Sequence, residues 1–102
     1  MAVVNKRLAK GKLGNTEGTL YTVPSATKTY IKALTLCNVA ITAKTITLKF
    51  AGTEVLYNYS LGACDTITIP FFDHILEAEE TITGLSDASN SIAYYISGRE
   101  VS

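Results

Sequence analysis

Apolar and polar positions alternate with a period of two along most of this chain. In "AKTITLKF" (residues 43–50), Ile46, Leu48 and Phe50 fall on one side and Thr45, Thr47 and Lys49 on the other. Successive side chains of an extended strand point to opposite faces, so this pattern predicts a half-buried β-strand with the first set in the core. The same reading, with β-branched and aromatic residues between Gly, Asn, Ser, Asp and Pro clusters, predicts strands over 6–13, 19–23, 29–38, 43–50, 54–59, 65–69, 75–77, 81–83 and 91–101. Helical periodicity is almost absent, and no helix longer than a single turn is expected. The fold class is therefore all-β: an antiparallel β-sandwich or a jelly-roll-like barrel of about eight strands.

Punctuation refines the elements. Gly14-Asn15 and Gly18 mark a turn, Pro24-Ser25 closes the second strand, and Gly52 turns the chain after Phe50. Pro70 lacks an amide proton, so it must end a strand or lie on a sheet edge. Phe71-Phe72 is expected to dip into the core or an interface, and Asp73-His74 to form a turn feeding Ile75-Leu76. Thr-Ile-Thr occurs at 45–47, 66–68 and 81–83 with unequal spacing, which reflects shared strand chemistry and not a repeat.

The chain is 102 residues long, which suits one modest core. We divide it into a basic N-terminal arm or first strand (1–17) and a sandwich (18–102). Charged residues make up only 18%, against about 25% in typical soluble domains, which suggests a surface partly covered by other protein. No apolar run approaches the ~20 residues of a membrane span, so no membrane role is expected. Net charge is zero, and nucleic acid is not an expected partner. The charge is nonetheless segregated. Lys6, Arg7, Lys10 and Lys12 crowd the start, while Asp65, Asp73, Glu77, Glu79, Glu80 and Asp87 crowd residues 65–87. Two solvated strand faces would account for this; so would a basic arm that docks on an acidic surface, either of a neighbouring copy or of another protein.

Candidate chemistry is sparse. His74, the single histidine, has Asp73 and Glu77 nearby, but neither a nucleophile nor a second metal-ligating cluster accompanies it. A glycosidase carboxylate pair would need a cleft that so small a β-domain hardly provides. Asp87-Ala88-Ser89-Asn90 lacks a calcium-loop pattern and reads as a turn. No metal, cofactor or catalytic activity is expected. Cys37 and Cys64 are expected to be buried free thiols in a cytoplasmically made protein, with a disulfide as the alternative. Tyrosine pairs are the more suggestive feature. Tyr57 and Tyr59 are expected on one strand face, and Tyr94-Tyr95 in the last strand. Tyrosine suits protein interfaces and sugar platforms, because it joins a flat apolar ring to a polar tip. In the simpler alternative, one ring of each pair is core and the other surface.

Three segments carry a resemblance. "GTLYTVPSATKTYIKALTLCNVAITAKTITLKF" (18–50) passes from a strand ending in Tyr-x-Val-Pro to one ending in Leu-Cys-Asn and then to a Thr-rich strand. "LGACDTITIPFFDHILEAEETITG" (61–84) and "SIAYYISGREV" (91–101) complete it. The arrangement resembles small β-sandwich structural proteins of tailed bacteriophages. That resemblance implies a virion protein, made in the host bacterial cytoplasm, that decorates the capsid as a homo-oligomer, with a trimer as the leading order. Tail or head–tail connector placement is the alternative, as is a carbohydrate-binding host-recognition module built on the tyrosines. The implied partners are further copies of the chain and the major capsid or tail protein. The partner-binding candidates are Lys6, Arg7, Lys10, Lys12, Tyr57, Tyr59, Tyr94 and Tyr95.

Overall fold

A computed structural model describes residues 2–102, apart from the side chains of residues 71–73. Eight strands form: β1 (Val3–Lys12), β2 (Gly18–Thr22), β3 (Lys28–Asn38), β4 (Lys44–Phe50), β5 (Thr53–Leu61), β6 (Thr66–Leu76), β7 (Thr81–Ser86) and β8 (Ile92–Val101). They build two four-stranded antiparallel sheets, ordered β1-β8-β3-β6 and β2-β7-β4-β5. The direct pairs β1·β8, β2·β7, β3·β6 and β4·β5 nest like one long hairpin folded across two layers. This is the jelly-roll form of a sandwich.

The alternation read from the sequence fills the space between the sheets. Leu34, Leu36, Ile92 and Ile96 from the first sheet meet Ile46, Leu48, Phe50 and Ile82 from the second, all buried. Fully burying each such side chain is worth about 1.5–3 kcal/mol, which explains why these strands keep strict alternation. Two glycines stand where neighbouring strands of one sheet leave no room for a side chain. A Cβ on Gly84 would stand 2.5 Å from Leu48 Cδ2, and one on Gly98 would stand 2.5 Å from the Tyr30 carbonyl oxygen and 2.7 Å from Leu8 Cδ1. Asn38, fully buried at the end of β3, ties the sheets together. Its Nδ2 donates to the Thr42 and Leu61 carbonyls, both at 3.0 Å, and its Oδ1 accepts from the Ala40 amide at 2.9 Å.

Several expectations change. The predicted strands 65–69 and 75–77 are one element, β6, so Asp73-His74 is not a turn. Pro70 does not end the strand. β6 lies at the edge of its sheet, and Pro70 stands opposite Ala33 of β3, where a missing amide proton costs no interior bond. The register shifts between Ile31 and Ala33, which absorbs the irregular stretch. The expected burial of Phe71-Phe72 concerns side chains outside the described residues. β1 starts at Val3 and not at residue 6, because its ladder with β8 continues to the Val3–Val101 pair. Beyond that pair, the Ala2 and Ser102 backbones exchange bonds of 3.2 and 2.9 Å.

The cysteines are free, but neither is buried. Cys37 is half-buried on the outer face of β3. Cys64 is exposed because it occupies the turn before β6 at φ 58°, where its thiol approaches the Ala40 carbonyl at 3.6 Å. Thr47 sits on the outer face of β4, as its parity requires, yet is buried. A bulge in β5 folds over it, and the Asn58 amide donates to Thr47 Oγ1 at 3.1 Å.

Candidate functional site

The register places the outer face of the first sheet in rows. Lys12, Ala93, Cys37 and Thr66 form one row across β1, β8, β3 and β6. Lys10, Tyr95, Thr35 and Thr68 form the next, with the two threonine hydroxyls 3.2 Å apart. Then come Arg7, Ser97, Ala33 and Pro70, followed by Asn5, Arg99, Tyr30 and Ile75. Val3, Val101 and Lys28 end the sheet. Arg7, Lys10, Lys12, Lys28 and Arg99 thus share one face. The guanidinium of Arg99 lies 4.7 Å from the Tyr30 ring centroid, and that of Arg7 lies 5.9 Å from the Tyr95 ring. Arg99 Nε is buried without a hydrogen-bond partner. Lys28 has an ion pair at 3.8 Å with Glu77, in the turn after β6. Lys10 and Lys12 are exposed and have no ion pair among the described residues.

A bulge explains how Arg7, Lys10 and Lys12 come to share a face despite their unequal parity. The β1·β8 register shifts between Arg7 and Ala9, and Leu8 turns inward to pack on the core. Lys6 falls on the opposite side. It points between the sheets, where its ammonium pairs with Glu100 at 3.5 Å. Glu100 also accepts a hydrogen bond from the Tyr21 hydroxyl, which lies 2.8 Å from Thr29 Oγ1. Burial, and secondarily the Glu100 carboxylate, push the Tyr21 phenol up to about 12. Of the four basic residues picked from the sequence, three therefore line one surface, and Lys6 belongs to a structural cluster.

The tyrosines separate. Ile46 and Leu48, both core residues, pair with Tyr59 and Leu56, so three steps along β5 match two along β4. Asn58 at φ 47° is the extra residue. Tyr59, 39% exposed, then lies on the core side of the sheet at its open edge, and Tyr57, 71% exposed, lies on the other side. The expected single face of Tyr57 and Tyr59 is broken by this bulge. Tyr94 and Tyr95, being adjacent in β8, also diverge. Tyr94 packs on the core and over Gly11, while Tyr95 is 47% exposed among the cations. Neither pair makes a two-ring platform.

Lys10, Lys12, Thr35, Cys37, Ala93 and Tyr95 border a shallow groove of about 420 Å³ at one end of this face. Its floor is mainly apolar and its rim carries the two lysines. Lys28, Tyr30 and Arg99 escaped the sequence reading because their membership of this face depends on which strands are neighbours. The signal present was the alternation of Lys28 and Tyr30 in β3 and of Tyr95, Ser97 and Arg99 in β8.

The second sheet lacks such a face. Lys49 bonds Glu17 at 3.1 Å, Glu17 accepts from Thr83 at 3.0 Å, and Lys49 stands opposite Glu54. Lys49 and then Thr83 hold the Glu17 carboxyl below its ordinary value. His74 lies edge-on to Phe50, with ring centroids 6.2 Å apart. Asp87 Oδ1 accepts from the Thr45 amide at 3.1 Å, which gives that loop a structural role. Among the described residues, no three His, Cys, Asp or Glu side chains converge as a metal site would require. Among the described residues, no helix is long and apolar enough to cross a membrane.

No family model matches the chain, and no curated protein matches it in sequence. Among solved structures, the chain is similar in fold to a protein of Bacillus endospore appendages, described as a novel family of disulfide-linked pili. The two are 14% identical, the match covers 98% of this chain and 88% of that one, and the TM-score is 0.58. The likeness is one of fold: both chains are small all-β proteins of sandwich type.

Proposed function

We propose that this protein is a non-enzymatic structural subunit that works by associating with copies of itself. The observation that carries this reading is β1, a ten-residue edge strand. Its free edge flanks a face rich in cations, and Val3 and Val4 are exposed beside it. An open strand edge is a template for pairing unless something covers it, and further copies of the chain would cover this one. The low overall charge supports the same reading. So does the fold shared with a protein from a pilus, an assembly built from repeated subunits.

In its finer form, the reading is a virion component of a tailed phage, a capsid decoration protein that attaches to the major capsid protein. It draws on the resemblance of residues 18–101. A closed ring such as a trimer and an open fibre are the two outcomes of subunit association, and closure depends on the rotation between neighbours.

Sedimentation velocity and negative-stain microscopy of the purified full chain test the general reading. Oligomers or fibres are expected. A monomer at about 100 µM in low salt would overturn it, since any useful contact would then be weaker than that concentration. Immunogold labelling of particles from a producing culture tests the finer one. Labelled phage heads are expected, and label confined to cell or spore surfaces would overturn the virion placement.

A further inference from the structure

We propose that the lysine-rimmed groove on the outer face of the first sheet receives the acidic β6–β7 turn of a second copy of this chain. The inference rests on the self-association reading above and names its contact. Lys10 and Lys12 stand over an apolar floor made by Ala93 and Cys37, with Tyr95 as a wall. That chemistry fits a short segment with carboxylates at its edges and a small apolar residue between them. Glu77-Ala78-Glu79 has this composition, and all three residues are exposed. Glu79 projects from the turn at φ 69°, with its backbone N–H donating a hydrogen bond of 3.0 Å to the Val23 carbonyl. Its carboxylate has no partner among the described residues. Lys10 and Lys12 likewise have no ion pair there, so the groove lysines and Glu79 are available, while Glu77 holds only an exposed 3.8 Å ion pair with Lys28.

One copy cannot bring the two together. The groove lies level with Cys37, and the turn lies beyond Lys28, nine residues further along β3. At about 3.3 Å per residue this is roughly 30 Å. Groove and turn sit toward opposite ends of a body 46 Å long. A contact between them is heterologous, head to tail, and repeats from copy to copy along the strand direction. Two grooves facing each other would set lysines against lysines, which disfavours a symmetric pairing through this face.

The test exchanges the charges. Lys10→Glu with Lys12→Glu makes the groove acidic, and Glu77→Lys with Glu79→Lys makes the turn basic. All four side chains are exposed, and thermal melts check that each variant folds. Each double variant is expected to associate at least about tenfold more weakly than the parent. The fourfold variant restores complementarity at unchanged net charge, and it is expected to regain association. The parent contact should also weaken between about 0.01 M and about 1 M salt, as the Debye length falls from about 30 to about 3 Å. If the parent associates and either double variant matches it, or the fourfold variant stays dissociated, the groove-and-turn contact is wrong while self-association stands. If the parent itself never associates, both fall.

Discussion

Two side chains and one backbone position carry consequences out of proportion to their size. Gly98 is required because a Cβ would drive into the Tyr30 carbonyl, which is backbone and has little room to yield. Gly98→Ala is expected to cost about 2 kcal/mol in urea unfolding. Gly18→Ala, with nothing within 4 Å, should change stability by less than about 0.5 kcal/mol. Asn38 satisfies three groups at once, and Asn38→Ala leaves two carbonyls and an amide short of partners in a buried place. We expect a loss of about 2–3 kcal/mol by the same measurement. Tyr21 sets a pH limit. Its phenol titrates near 10.0 when unfolded and at about 12 when folded. A group with a raised folded pKa contributes fully below the unfolded value and loses its contribution as pH rises through the folded one. Stability should therefore fall between about pH 10 and about pH 12, and Tyr21→Phe should flatten that slope in chemical denaturation followed across the window.

At the level of elements, the bulges decide which side chains meet. A period-two pattern foretells faces only while the ladder stays regular, and one inserted residue reverses the parity beyond it. In β1 the shift at Leu8 moves Lys10 and Lys12 onto the face of Arg7. In β5 the shift at Asn58 parts Tyr57 from Tyr59. Asn58 tolerates φ 47° because asparagine visits the left-handed region more readily than other non-glycine residues. Asn58→Val should cost about 1–2 kcal/mol, whereas Asn58→Gly should stay within about 0.5 kcal/mol. If the valine variant melts like the parent, the bulge is not held at that residue.

Over the whole molecule, charge is balanced in sum and divided in space. The second sheet pairs Lys49 with Glu17, the first sheet gathers cations, and Glu77, Glu79 and Glu80 stand in the turn at one end. This division predicts different effects for basic residues that look alike in sequence. Arg7→Gln, Lys10→Gln and Lys12→Gln together should weaken association in a salt-dependent way with little change in melting temperature. Lys6→Gln should do the reverse, because its ammonium faces Glu100 between the sheets. Light scattering and a thermal melt on the two proteins separate these outcomes.

By itself the sequence determined the fold class, most strand positions and the core side of strands such as β4. Those properties follow from local alternation and from the transfer of apolar side chains out of water, which every residue expresses in place. It also showed that the N-terminal basic residues and the later acids are segregated. The tertiary structure alone decided that β6 runs unbroken through Pro70, because only its place at a sheet edge makes a missing amide harmless. It alone decided that Lys28, Tyr30 and Arg99 join Arg7, Lys10 and Lys12 on one face while Lys6 leaves it. Such membership depends on strand order and register, set by pairing between residues as far apart as Val3 and Val101, and no local pattern along the chain encodes it.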